Sequence, residues 1–572
     1  MGFLFSSLKS VKLEPMKPKE ILLAASRKPL MMLLFLAITG LIVYANILHA
    51  PFILDDHFML QNPGVRDLPA LLENWRENPR KFLTYLTFAL NYAWGDENSF
   101  GFHLFNVLLH AFCAFAFWGV VRLLLQTPYL QNTSWEKNRD ALALSAALIF
   151  LLHPLQTESV TYIWQRSEVL SGLFYLTAYL CYLKGRRARQ NGFYLGAFLL
   201  FYVGLFAKGT VITLPVLILL TEYSFCNLSK TVKRRLIIGV LAALAVLMTL
   251  WSTAWIKDLL MKFGIDFMMP QPVPYIYTNY VLTQFMVLVK YVQLTWFPIS
   301  QNFDYYFPLV NTSDFPWGWP LGLSLAALAG IFITALRLFS RHRLISFGMG
   351  WFFICLIPTA SGITLIESIG EHRLYISLAG FAICLTALLW GCLHEKKKRV
   401  QASVAIILVL GFMTINRNHV WRSPEALFKD TIAKSPLHPR PHNALGEVYY
   451  KQGRLDEAKV LFERAIDLSW GWYPHSHYYL GLIHLDKTEL DLAQAKFELV
   501  LTNSPRFLPA YHELGKVWAL KKNYLRAEEV WQKSLTIAPS AEAYYYLAQI
   551  YSLKADIPKA EWYYEQSRFF KK

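Results

Sequence analysis

Charge is scarce in this chain, and cysteine is scarcer. Asp, Glu, Lys and Arg make up 17% of the 572 residues, against about 25% in an ordinary soluble domain. Apolar residues reach 55%, mean hydropathy is +0.31, and the apolar residues cluster in long runs. That excludes an ordinary soluble enzyme and indicates a polytopic membrane protein. The six cysteines (113, 181, 226, 355, 384 and 392) lie in or beside apolar segments and form no CxxC pair. They read as small core residues, which leaves neither a disulfide framework nor a thiolate metal site. Acids are outnumbered 39 to 56 by Lys and Arg. Residues 420–572 hold 21 basic and 18 acidic side chains, so +14 of the net +17 belongs to the first 419 residues. A basic excess there suits positive-inside loops and anionic lipid heads, not nucleic acid. No cleavable signal pattern is present. Lys9, Lys12, Lys17, Lys19, Arg27 and Lys28 make 1–29 a cytoplasmic segment.

The apolar runs predict 11 spans: 30–48, 102–123, 141–152, 169–183, 192–207, 210–226, 236–256, 320–336, 345–360, 374–392 and 400–416. Basic loops at 184–189, 230–235, 337–343 and 395–399 set the cytoplasmic side. The N-terminus is then inside and the C-terminus outside. The stretch 279–297 is apolar but contains Lys290. Parity between its neighbours predicts an interfacial or re-entrant helix there. Segments 68–75 and 82–94 show helical spacing with flanking charge and read as interfacial amphipathic helices.

From Trp421 onward the pattern changes. Leu445-Gly446, Leu480-Gly481, Leu514-Gly515 and Leu547-Ala548 recur at spacings of 35, 34 and 33. Alanines 458, 493, 527 and 560 follow, then Phe462, Phe497, Trp531 and Tyr564. This is a tetratricopeptide (TPR) pattern of paired helices, with one extra helix at 425–435. Stacked pairs of this kind form a face for an extended peptide or a partner helix. The fold class is therefore all-α: a membrane bundle over 30–419, then a TPR solenoid over 420–572.

Ionisable groups gather at the external ends of the spans. The acids are Asp55, Asp56, Glu158, Glu367 and Glu371; the cations are Lys81, Arg166, Lys208 and Arg373; the histidines are His57, His103, His153 and His372. Charge at this depth marks function. His103, Asn106 and His110 share one helical face and suit either helix–helix hydrogen bonding or a site. Gathering at one rim favours an enzyme at the membrane surface over a transport path. A carboxylate can deprotonate a hydroxyl, and cations can hold a phosphate leaving group.

In order, the chain carries Asp55-Asp56, Leu83-Thr84 to Asn91-Tyr92, and Phe102-His103 with Asn106 and His110. Then come His153-Pro154 with Thr157-Glu158 and Arg166, Lys208 before Ile212-Thr213-Leu214-Pro215, Glu371-His372-Arg373-Leu374-Tyr375, and the TPR repeats. This series resembles the transmembrane and TPR-containing protein O-mannosyltransferases and their bacterial relatives, in the GT-C glycosyltransferase superfamily. The resemblance implies a polyprenyl-phosphate-linked sugar as donor, a Ser or Thr hydroxyl as acceptor, and inversion at the anomeric carbon. It implies Asp55 as the base, with Asp56 supporting it. Arg166, Lys208 and Arg373 become the donor-phosphate ligands. His103, His153, Glu158, Glu371 and Lys81 become the substrate pocket. No metal or other cofactor is assigned, because two carboxylates are a thin ligand set. The TPR domain would bind the acceptor polypeptide.

Two departures stand out. Lys81-Phe82 replaces the family's common Arg-Pro, losing the bidentate fork. Lys208-Gly209 replaces its common Lys-Glu, removing one pocket acid. The compact four-repeat tail points to a bacterial inner-membrane protein whose catalytic face and TPR domain lie in the periplasm; a eukaryotic member would face the ER lumen. Two other readings compete: a TPR-bearing membrane scaffold without catalysis, and a GT-C transferase acting on a glycan or lipid.

Overall fold

The structure is a computed structural model that describes residues 28–77, 81–226, 231, 274–307, 309–310, 318–360 and 367–571. The expected span 236–256, the basic loop at 230–235 and all of the N-terminal segment before Lys28 lie outside the described residues. Among the described residues every regular element is a helix. The chain divides into two units: 1–303 with 307–423, and Asp304–Tyr306 with Pro424–Lys572.

In the first unit, the ten expected spans within the described residues all fall on helices. Their lengths differ from expectation. Four are long and apolar enough to cross a membrane: Pro29–Ile47, Ser99–Leu124, Trp319–Arg341 and Lys396–Val420. A fifth, Arg139–Leu152 with Pro154–Thr161, qualifies only as a pair bent by 52°. Pro154 explains the bend, since proline disfavours helix at the residue before it and removes a backbone donor. Asn191–Leu205, Gly209–Phe225, Arg343–Leu356 and Ser377–Cys392 are shorter apolar helices. The protein is thus an all-helical membrane protein, and among the described residues four of the expected spans, or five with the bent pair, are full-length helices. The segment expected to be interfacial or re-entrant forms one helix, Pro274–Trp296, without the reversal that re-entry requires.

Ser99–Leu124 is central. It packs against Pro29–Tyr44, Arg139–Leu152 and Arg166–Ala188. Arg343–Leu356 and Ser377–Cys392 meet backbone to backbone: a Cβ on Gly348 would lie 2.6 Å from the Gly380 carbonyl oxygen. Small residues at such crossings let helices approach where no hydrophobic effect drives them together. The amphipathic helices Leu68–Glu77 and Phe82–Gly95 form where their spacing predicts them.

Among the described residues the second unit holds nine helices from Pro424–Lys434 to Ile557–Lys571, one single helix and four pairs. Each repeat glycine lies under the aromatic residue 16 positions on. A Cβ on Gly446 would meet Phe462 at 2.7 Å, and one on Gly481 would meet Phe497 at 2.6 Å. Gly515 lies likewise under Trp531. The fourth repeat has Ala548, and there the matching Tyr564 is exposed. Asp304 is held within this unit by His438 at 3.0 Å and Arg440 at 2.5 Å.

Candidate functional site

Asp55 opens the helix Asp55–Gln61. Leu54 before it has φ 46° and ψ −111°, a backbone state that a bulky L-residue rarely adopts. Strain of this kind persists only where surrounding structure enforces it, often at functional sites. The Asp55 amide donates to the Tyr162 hydroxyl at 3.2 Å, and its carboxylate is in no ion pair among the described residues. Asp56, next in sequence, is buried. Its Oδ2 accepts from the Ile53 amide at 3.0 Å and its Oδ1 from the Trp164 amide at 2.7 Å. Burial pushes the Asp56 carboxyl up to about 8, against the two amides and Arg166, which favour its charged form. The adjacent acids therefore differ: Asp56 ties the loop through the Ile53 and Trp164 amides, and the Asp55 carboxylate is not used that way. Among the described residues, no group of three His, Cys, Asp or Glu side chains is placed to hold a metal.

Three more groups join Asp55. The Lys208 ammonium donates to Glu168 Oε1 at 2.7 Å. Lys81, in a left-handed backbone state, sets its ammonium 4.7 Å from the centre of the Trp164 ring. The charges of Lys208, Asp55 and Glu168 all act on Lys81, so the four groups, drawn from four separate segments, form one cluster. A second group adjoins it. Glu158 accepts from His372 Nδ1 at 2.6 Å and from the His372 amide at 3.1 Å. The charges of Lys208 and Glu168 also act on His372. Arg373 lies beside it and donates to the carbonyls of Glu367 (2.7 Å) and Ser368 (3.3 Å).

Four expected site residues are placed elsewhere. Arg166 has no exposure at all. Its Nε donates to Asn106 Oδ1 at 2.7 Å, and its terminal nitrogens donate to the carbonyls of Thr87 and Phe102, both at 3.1 Å. The rings of Phe88 and Phe105 enclose it, with centroids 4.4 and 4.7 Å away. A phosphate cannot reach this guanidinium, so Arg166 is corrected from phosphate ligand to internal brace. His103 is buried and bonds the Ala50 carbonyl at 3.1 Å. His110 bonds Tyr375 and the Leu151 carbonyl, so this histidine face serves helix packing. His153 accepts the Leu155 amide on Nδ1 at 3.2 Å and faces the Thr295 carbonyl with Nε2 at 3.1 Å. Those two bonds occupy both ring nitrogens. Glu371 is buried and accepts from Gln301 Nε2 at 2.9 Å and the Asn302 amide at 2.6 Å.

Glu168 is the group that sequence reasoning left out. It stands two residues from Arg166, and helical phase held the signal. Residues two apart on a helix lie on nearly opposite faces. If Arg166 turns inward to brace the bundle, Glu168 turns the other way. It also supplies a carboxylate to Lys208, where the Lys-Gly departure had suggested one was missing.

An all-helical membrane bundle with a mixed acid–cation cluster, followed by TPR repeats, is the class of protein that these features define. A Tetratricopeptide repeat family model matches residues 439–469. The curated homologues are protein O-mannosyl-transferases. One, F38B6.6 of Caenorhabditis elegans, is 24% identical over 76% of this chain and 62% of its own. TMTC4 of Homo sapiens is 28% identical over 66% and 56%, and TMTC3 of Mus musculus 24% over 82% and 58%. The chain thus spans between 56% and 62% of the length of these relatives. The resemblance read from the sequence motifs, to the transmembrane and TPR-containing protein O-mannosyltransferases, is to the same family as these homologues. The solved structure of MamA aligns with 26% of this chain and 86% of its own at 20% identity and a TM-score of 0.24, too low to bear on the fold.

Proposed function

We propose that the protein is an inverting glycosyltransferase that moves a sugar from a polyprenyl-phosphate donor to a Ser or Thr hydroxyl of a protein. The observation that carries this reading is the cluster of Asp55, Lys81, Lys208 and Glu168 behind the strained Leu54. Asp55 accepts the proton of the acceptor hydroxyl. The hydroxyl oxygen then bonds to the anomeric carbon on the face opposite the phosphate. The sugar–phosphate C–O bond breaks, and its electron pair leaves on the polyprenyl phosphate. Lys208, with Lys81 beside it, offsets the charge that develops there. Asp56 holds the loop that carries Asp55. Arg373, Glu158 and His372 line the neighbouring part of the pocket. The reaction takes place at the external face of the membrane, and the TPR unit binds the acceptor polypeptide.

The test is a transfer assay in detergent with radiolabelled polyprenyl-phosphate mannose, glucose, N-acetylglucosamine and galactose, and membrane proteins of the source cell as acceptors. Label entering protein with wild type, and not with Asp55→Asn, is the expected result. No transfer from any donor, with Asp55→Asn fully complementing a knockout, would overturn the reading and leave a scaffold.

A further inference from the structure

Among the described residues of the membrane unit four acids are buried: Asp56, Glu158, Glu168 and Glu371. Three of them have both carboxyl oxygens occupied. Asp56 takes two amides, Glu158 takes the ring and amide of His372, and Glu371 takes Gln301 and the Asn302 amide. Glu168 differs. It is 3% exposed, and its Oε1 accepts from Lys208. Its Oε2 accepts no hydrogen bond among the described residues. A carboxylate has about four acceptor sites, and this oxygen is not sealed from solvent, so it keeps acceptor capacity for a ligand. Glu168 sits in the first turn of Arg166–Ala188, where the helix end favours negative charge but supplies no bond to Oε2.

Lys208 stands beside it with the complementary vacancy. Its ammonium has three N–H donors, and one is used on Glu168. The pair thus offers donors next to an acceptor. A phosphate alone would be repelled by the carboxylate. A ligand with an anionic group and a neutral hydroxyl a few bonds apart meets both, and a glycosyl phosphate has that constitution. Resting on the proposed function, we infer that Glu168 recognises the donor sugar: its Oε2 accepts a hydrogen bond from one hydroxyl of the hexose while Lys208 holds the donor phosphate. Glu168 is then the residue that makes the site read the sugar and not only the lipid phosphate.

A binding measurement separates this from the transfer reaction. Full-length protein in lipid nanodiscs is titrated with polyprenyl phosphate and with polyprenyl-phosphate mannose. Wild type should bind the sugar-bearing lipid at least about tenfold more tightly. Glu168→Ala should bind the two within about threefold of each other, and Lys208→Ala should weaken both. Equal binding of the two lipids by wild type would overturn the inference whatever the activity. A tenfold preference without any transfer would leave Glu168 in place and overturn the reaction instead. In the transfer assay, monodeoxy mannosyl donors give the second readout. A site built to bond a hydroxyl rejects the analogue lacking it by about 100-fold or more. Wild type should reject one deoxy donor to that degree, and Glu168→Ala should not. If Glu168→Ala slows every donor equally and keeps the discrimination, Glu168 acts only by positioning Lys208 and the inference fails. Glu168→Gln, which keeps an acceptor oxygen and the side-chain shape, controls for folding and should retain part of the preference.

Discussion

The two units handle buried polar and aromatic groups in opposite ways. In the TPR unit the same contact is made again and again: a glycine on the first helix of a pair lies under an aromatic residue on the second, at Gly446–Phe462, Gly481–Phe497 and Gly515–Trp531. In the membrane unit the described contacts follow no sequence repeat, although a glycine lies under an aromatic ring there too, at Gly172–Tyr375. Arg166, Lys208, His103 and Glu168 all resemble one another as charged or polar residues near apolar runs, yet two brace the bundle through backbone and amide partners and two form an ion pair with each other. Repetition makes a role visible in sequence, because each copy tests the others. A unique polar group offers no such check. In a medium of low polarity a brace and a ligand both need a partner, so their sequence signatures coincide.

Sharpening that comparison calls first for Asp55→Asn, the largest expected effect. Transfer should fall by a factor of about 10² to 10⁴, the usual contribution of a general base, with the melting temperature of the full chain unchanged. A normal rate would remove Asp55 from the chemistry. Arg166→Leu should behave inversely. Losing the guanidinium strands Asn106 and the Thr87 and Phe102 carbonyls, at a cost of about 3–5 kcal/mol, seen as lower thermal stability and yield. Lys208→Ala, by contrast, should raise the KM for the lipid donor, and it should lower stability only through the Glu168 carboxylate that it leaves unpaired. If Arg166→Leu were stable and Lys208→Ala left the KM unchanged, the division into brace and site would be reversed.

In the TPR unit, Gly481→Ala should destabilise by about 1–3 kcal/mol, because the added methyl would lie 2.6 Å from the Phe497 ring. Ala548→Gly, in the repeat without that close contact, should cost no more than about 1 kcal/mol. Equal effects at the two positions would break the repeat argument. The smallest effect concerns pH. The folded protein keeps a proton on Asp56 up to about 8, whereas the ordinary carboxyl loses it near 3.8. The folded state binds the extra proton throughout that window, so this group's contribution to stability declines as pH rises from about 4 to about 8 and is level above it. Asp56→Asn should flatten that part of the curve of melting temperature against pH.

Legibility followed the same division. Helical phase located the helices and the TPR register from Leu445 to Tyr564. Hydropathy placed the apolar runs but not their lengths: 192–207 and 345–360 fall on apolar helices of 15 and 14 residues, shorter than the roughly 20 that a straight span needs. Among the acids, Asp55 stood out in the sequence by its position after the first span. Glu168 was not, because its partner Lys208 lies 40 residues away.

By itself the sequence determined the class: an apolar helical bundle with charge at the ends of its apolar runs and a helical repeat behind it. Composition and periodicity act locally, and a few turns of helix suffice to express them. Tertiary structure alone decided which charges are enclosed and which keep a free edge. Whether Arg166 is sealed between Phe88 and Phe105, or Glu168 keeps one oxygen unpaired, depends on segments far apart in the chain meeting at a few ångströms.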